Sequence, residues 1–290
     1  MKTDRSAFTL VEMLVVIIII GILASITLGG IQYAQHSARE TRTKATITKI
    51  NRFVMEKYAS YQDRRAPVDT YGKSPKEAAA IRLAAIRELQ IIEMPDHWSD
   101  IKDTPGKFKY IASGNNASWS RFNLVGAGRE NTDNVPAELL YLMVMGLPGA
   151  PESFMGGEVG DTDNNGLKEF VDGWGRPIMF IRWPAGFLPP DMITSLQTGN
   201  PTTDHDPFDI MGVDENAFAI YPLIYSAGGD GQFGILPSQT PTQSGIAGVQ
   251  MFLPYKSNSG ASGTGNEGGT GNTAGDSPYF YDNINNHALD

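Results

Sequence analysis

The stretch that most constrains this 290-residue chain is residues 8–28, FTLVEMLVVIIIIGILASITL, in which Glu12 is the only charge. As an α-helix rising about 1.5 Å per residue, such a run is about 31 Å long, the thickness of a bilayer's hydrocarbon core. Lys2 and Arg5 precede it and favour a cytoplasmic N-terminus. A secretory signal peptide has a shorter apolar stretch, about 7–15 residues, before a small-residue cleavage site. Ala24-Ser25 is a weak version of such a site, and an amphipathic pattern continues past it. A core helix would keep a polar face, yet residues 13–28 are uncharged all round. The stretch therefore reads as a single membrane span.

Glu12 is the odd residue in it. A carboxylate one turn inside an apolar span costs several kcal/mol (roughly) unless it is partnered, so it marks a functional position. An α-amino group released by proteolysis just before Phe8 would supply that partner, about one helical turn away, on the same chain or on a neighbour. The run Ser6-Ala7 followed by Phe8-Thr9-Leu10-Val11-Glu12 resembles the cleavage and methylation motif of type IV pilins and type II secretion pseudopilins. The resemblance implies a prepilin peptidase that cuts between Ala7 and Phe8 and methylates the new amine. It also implies that Glu12 pairs with a neighbouring subunit's N-terminus during filament assembly. Two positions depart from the family: Ala7 stands where Gly is usual, and no Pro stands at Gly29. The Gly29-Gly30 pair is a place where the helix can loosen.

Beyond residue 30, Ile47, Ile50, Val54, Tyr58 and Tyr61 recur at three- and four-residue steps among Lys, Arg and Glu. One helix is expected to run from Phe8 to about Tyr61, half in lipid and half against a soluble domain, ending before Arg64-Arg65-Ala66-Pro67. Ser74, Pro75 and Glu77 spell the start of a second helix with a capping box. A third is expected over 136–145, and strands over 177–183 and 218–225. Residues 257–277, almost entirely Gly, Ser, Thr and Asn, read as a surface loop. The apolar-aromatic residues 278–281 are expected to dock the C-terminus. The expected organisation is a leader at 1–7, a membrane part at 8–30, an amphipathic continuation at 31–65 and an extracytoplasmic head at 66–290. The fold class is α+β, with the long helix packed on a small antiparallel sheet.

Charge is unevenly spread. Residues 1–109 hold 17 Lys/Arg against 12 Asp/Glu, whereas residues 110–290 hold 6 against 20. The acidic part is a poor nucleic-acid binder and suits cations or simple solubility. Within it, Asp161, Asp163 and Asn165 alternate ahead of Gly166, as in the opening of a calcium loop, and Asp172 stands at the twelfth position. No helix pair flanks it, and an Asx-rich turn without metal is the plain alternative. The segments Asp172-Gly173-Trp174-Gly175-Arg176-Pro177, Tyr225-Ser226-Ala227-Gly228-Gly229-Asp230-Gly231 and Tyr281-Asp282-Asn283-Ile284 resemble the head of major pseudopilins. That resemblance implies a second calcium site at Ser226, Asp230 and Asp282, against the reading of 226–234 as a hairpin turn.

No cysteine is present, which excludes disulfides, thiolate zinc sites and a cysteine nucleophile. The four histidines are scattered, Asp204-His205-Asp206 reads as a solvated loop, and no hydrolase or phosphate-binding motif occurs. The expected function is a non-enzymatic subunit of a type II secretion pseudopilus or related type IV filament. Its partners would be prepilin peptidase and other pilin subunits, in the inner membrane with the head outside the cytoplasm. The alternatives are a minor or adhesive pilin and, from another class, a membrane-anchored extracytoplasmic hydrolase.

Overall fold

The computed structural model describes residues 10–101, 108–110, 134–184, 205–214, 219–233, 243–244, 250–251 and 284–287. Ala7, Phe8, Asp282, the Gly/Ser-rich 257–277 and the aromatic 278–281 lie outside the described residues.

Helix α1 (Leu10–Asp63) is one unbroken element of 54 residues, about 80 Å long at 1.5 Å per residue. Gly29 and Gly30 do not interrupt it. Its two halves live in different surroundings. Residues 10–38 are exposed all round, while Thr43, Thr46, Ile47, Ile50, Phe53, Val54, Tyr58 and Tyr61 are buried along one stripe. The helical spacing of that stripe makes it the spine of the head's core.

Helix α2 (Pro75–Glu93) starts as its spelling demands. Ser74 accepts from the Glu77 amide, and the Glu77 carboxylate accepts from the Ser74 amide at 2.9 Å. Its Leu83, Ile86, Leu89 and Ile92 join the α1 stripe in the main core. Lys57 and Tyr61 of α1 and Arg64 just past its end converge on Glu93, with Arg64 Nη1 2.6 Å and Tyr61 Oη 3.1 Å from Oε2. Burial pushes the Glu93 carboxyl up, but Arg64 and Lys57 outweigh it and hold it below the usual carboxylate range. A short helix α3 (Trp98–Ile101) follows, and then α4 (Val135–Val144).

The head's sheets are small. A 3-10 turn (Gly156–Glu158) leads into β1 (Val159–Gly160), which pairs antiparallel with β2 (Glu169–Phe170). Strands β3 (Met179–Ile181), β4 (Leu223–Ser226) and β7 (Ile284–Asn285) make an antiparallel sheet in the order β3-β4-β7, while β5 (Gln243–Ser244) pairs with β6 (Gln250–Met251). Phe180, Ile224 and Ile284 face the main core, whereas Met179, Ile181, Leu223 and Tyr225 pack with Ala137 on the other side. With both faces covered, these strands have no polar alternation to show. The end of β7 is pinned by Asn286. Its Oδ1 accepts from the Ile224 amide at 2.7 Å, and its Nδ2 donates to Asn51 of α1 at 2.9 Å.

The turn after β2 fixes the head on α1. Asp172 Oδ1 accepts from the amides of Trp174 (2.8 Å) and Arg176 (2.9 Å), and Gly175 sits at φ 82°. The Gly173 amide donates to Thr43 Oγ1 at 2.9 Å. A Cβ at Gly173 would stand 2.3 Å from the Arg39 carbonyl oxygen, a clash with backbone that no rotamer relieves. Gly173→Ala should therefore lift the turn off α1 at a cost of about 1–3 kcal/mol. Urea unfolding of the full-length protein in detergent checks this, and an unchanged midpoint would show that the contact contributes nothing.

Candidate functional site

Three regions carry chemistry beyond packing. The first is the exposed half of α1. Its large apolar side chains from Leu10 to Ile31 are 47–82% exposed, a continuous apolar surface that nothing among the described residues covers. Among the described residues this is the one helix long and apolar enough to cross a membrane. The polar side chains within it are satisfied internally: Ser25 Oγ donates to the Ile22 carbonyl at 2.8 Å and Thr27 Oγ1 to that of Leu23 at 3.0 Å. Hydroxyls bonded in this way are tolerated in lipid. Glu12 lies in the first turn, on the exposed surface.

The second region is the acidic hairpin. The chain reverses between β1 and β2 through Asn164 (φ 59°) and Gly166 (φ 87°), two residue types that tolerate positive φ. Asp161 shapes the turn, its Oδ1 accepting from the Asn165 amide at 3.1 Å and its Oδ2 from the Gly166 amide at 2.9 Å. Asn165 Nδ2 donates to Asp163 Oδ2 at 3.0 Å and to Glu138 Oε1 of α4 at 2.5 Å. Glu169, opposite Gly160 in the β-pair, is fully buried, and its Oε2 accepts from the Thr162 amide at 3.0 Å. Carboxylate oxygens of Glu138, Asp163 and Glu169 all lie within 4.8 Å of one another. Burial pushes the Glu169 carboxyl up to about 7, with Asp163, Glu138 and Asp161 adding to the effect against the Thr162 hydrogen bond.

Of the first expected calcium set, the structure thus brings Asp161, Asp163 and Asn165 into one turn but sends Asp172 elsewhere. Its Oδ2 accepts from the Ser226 hydroxyl at 2.7 Å, and its Oδ1 serves the Trp174 turn. The reason is that β2 carries the chain away before the twelfth position is reached. Spacing alone missed Glu138 and Glu169. Glu138 is the one charge in the apolar helix α4, and Glu169 opens the strand at the hairpin's mouth, so both were visible once the hairpin and the helix were placed side by side.

The third region joins the two pseudopilin-like segments. Ser226 is buried, its hydroxyl binding Asp172 and accepting from the Gly228 amide at 3.1 Å. Arg176 Nη1 donates to the Gly228 carbonyl at 2.8 Å. Asp230 is exposed, with Oδ1 accepting from the Gln232 amide at 2.8 Å. Ser226 therefore works as a clasp between two turns. Trp174 packs edge-on against His36 of α1, with ring centroids 5.5 Å apart.

A further carboxylate group, Asp96 and Asp100 with His97, also has the spacing of a metal site, but an internal cation already occupies it. Arg182 Nη1 lies 3.2 Å from Asp96 Oδ1 and 2.9 Å from Asp100 Oδ2, and donates to the Met94 carbonyl at 2.8 Å. Burial pushes the Asp96 carboxyl up, but Arg182 and His97 win and hold it well below the usual range. The group ties β3 to the connection between α2 and α3.

Residues 2–28 match the family model described as the prokaryotic N-terminal methylation motif. This is the prepilin-type signal of type IV pilins and pseudopilins. No curated protein and no solved structure matches the chain significantly. With that signal leading into a bilayer-length helix that continues unbroken into an α+β head, the chain has a type IV pilin-like architecture and carries a prepilin-type processing signal.

The Arg182 network gives a pH-dependent expectation. Because Asp96 is held below its ordinary value near 4, its contribution is complete above that value and is lost as pH falls through the lowered one. Arg182→Met leaves two buried carboxylates without their guanidinium, at a cost of about 3–5 kcal/mol near neutral pH. The deficit should shrink towards pH 4, because without the guanidinium the burial of Asp96 favours its protonated form. Urea midpoints of both proteins across this range test it, and a pH-independent deficit would contradict it.

Proposed function

We propose that this chain is a structural, non-enzymatic subunit of a type II secretion pseudopilus or a related type IV filament. The carrying observation is the unpartnered apolar half of α1 beginning beside Glu12, within a prepilin-type signal. An apolar surface of this size needs lipid before assembly and other helices after it. Glu12 would be matched by the methylated amine of Phe8 on an adjacent subunit when the two helices are in correct register. Stagger between subunits would then be read electrostatically, while the apolar surface supplies area without specificity.

The head supports the pseudopilin reading within that class. The Asp172–Pro177 turn and the Ser226–Gly231 turn are hydrogen-bonded to each other through Ser226 and Asp172, and the first is docked on α1 at Arg39 and Thr43. On this reading the protein sits in the cytoplasmic membrane with residues 1–7 inside and the head outside, prepilin peptidase being its first partner.

Two experiments bear on the reading. The mature chain should begin at N-methylated Phe8, as measured by mass spectrometry of the native N-terminus; an intact Met1 or a cut near Ala24-Ser25 counts against it. Glu12→Ala should insert into membranes as well as wild type does, since it removes a costly charge. Crosslinking in membranes should then find the multimer ladder collapsed towards monomer, and a ladder as strong as that of wild type would remove Glu12 from assembly.

A further inference from the structure

We propose that Glu138, Asp163 and Glu169 form a calcium site that fastens helix α4 to the β1–β2 hairpin. The site is independent of the filament role and differs from the ligand set that chain spacing suggests, since two of its three carboxylates come from outside the turn.

The geometry suits the ion. Calcium takes oxygen ligands at about 2.3–2.6 Å, so oxygens around one ion lie at most about 5 Å apart. The three carboxylates meet that limit, with ligand atoms within 4.8 Å of one another. Acidic clusters are common at surfaces, and the separate indication comes from Glu169. Its side chain is fully buried, Oε2 is held by the Thr162 amide, and Oε1 has no hydrogen-bond partner. A buried carboxylate oxygen with no donor is costly. A cation beside it within the cluster removes that cost.

The neighbours have supporting roles. Asp161 accepts from the Asn165 and Gly166 amides and shapes the loop, and it is not one of the three carboxylates that converge within 4.8 Å. Asn165 donates to Glu138 and to Asp163 and so steadies two of the ligands. Asp163 is exposed, which opens the site to solvent on one side. Water from there completes the six to eight oxygens that calcium prefers, while magnesium, wanting a near-ideal octahedron at about 2.0–2.1 Å, fits a cluster this wide less well.

The test uses the full-length protein in detergent micelles, stripped with EGTA and titrated with calcium chloride by calorimetry and by thermal melting. One calcium per chain should bind, and the melting temperature should climb with calcium, because a ligand of the folded state alone stabilises it by mass action. Magnesium chloride should give a much smaller shift. Glu169→Gln should lose the shift yet melt no lower than wild type in EGTA, since it exchanges a buried anion for a neutral group of the same shape. Asp163→Asn, at an exposed turn position, should fold normally and also lose the shift. Asp230→Asn, in the other loop, should keep it. Identical melting of wild type in calcium and in EGTA would overturn the proposal. So would a full shift retained by both Glu169→Gln and Asp163→Asn, or a shift abolished by Asp230→Asn alone.

Discussion

The structure depends on one helix serving two solvents. In α1 the first half presents apolar side chains in every direction and the second half presents them along one stripe. The backbone hydrogen-bond ladder does not notice the change, so the helix continues through Gly29-Gly30, where no packing or proline forces a break. What changes is the source of stability. The lower half meets an environment that the described residues do not supply, and the upper half meets the head, whose main core is built on Ile47, Ile50, Val54 and Tyr58.

The boundary between these regimes is built, and not left to gradual fading of hydrophobicity. At Arg39–Thr43 the Gly173 turn approaches so closely that only a residue without a side chain fits. Arg42 reaches the Gly157 carbonyl, and Lys49 with Thr46 holds Glu158 at 2.9 Å each. Two loops from either end of the β1–β2 hairpin thus grip the same stretch of α1, about three turns from Arg39 to Lys49.

How much of this was legible in the sequence follows from range. Local rules sufficed where the determinants are local: the capping box at Ser74 and Glu77, the stripe on α1, the apolar strands at 179–181 and 223–226. The membrane run and the Glu12 motif were equally plain, because they depend on composition over one helix. The candidate ion site was only half legible. Alternating acids at 161, 163 and 165 announce a turn that gathers oxygen atoms, but which other carboxylate completes it is decided by tertiary packing. Counting to Asp172 follows the chain past β2 into a turn with different business, while Glu138 arrives from 27 residues upstream. Likewise Ser226, expected as a ligand, is spent on joining two turns.

The head's buried charges sharpen that distinction. Glu93 has Lys57 and Arg64, Asp206 has Arg87, Asp96 and Asp100 have Arg182, and Glu158 has Lys49. In each case a basic residue from another element faces the acid, as burial of a carboxylate requires. The bases come mostly from α1 and α2, since residues 110–290 hold only six Lys/Arg against twenty acids. The acidic hairpin lies on the side of β1–β2 that meets α4, and α4 brings no base, only Glu138. Glu169 there is matched on one oxygen by a backbone amide and on the other by nothing in the described residues. Asp172, buried as well, is held by backbone amides and the Ser226 hydroxyl in place of a base, so what sets Glu169 apart is the oxygen without a donor among the described residues, and that is the position the proposed cation would take.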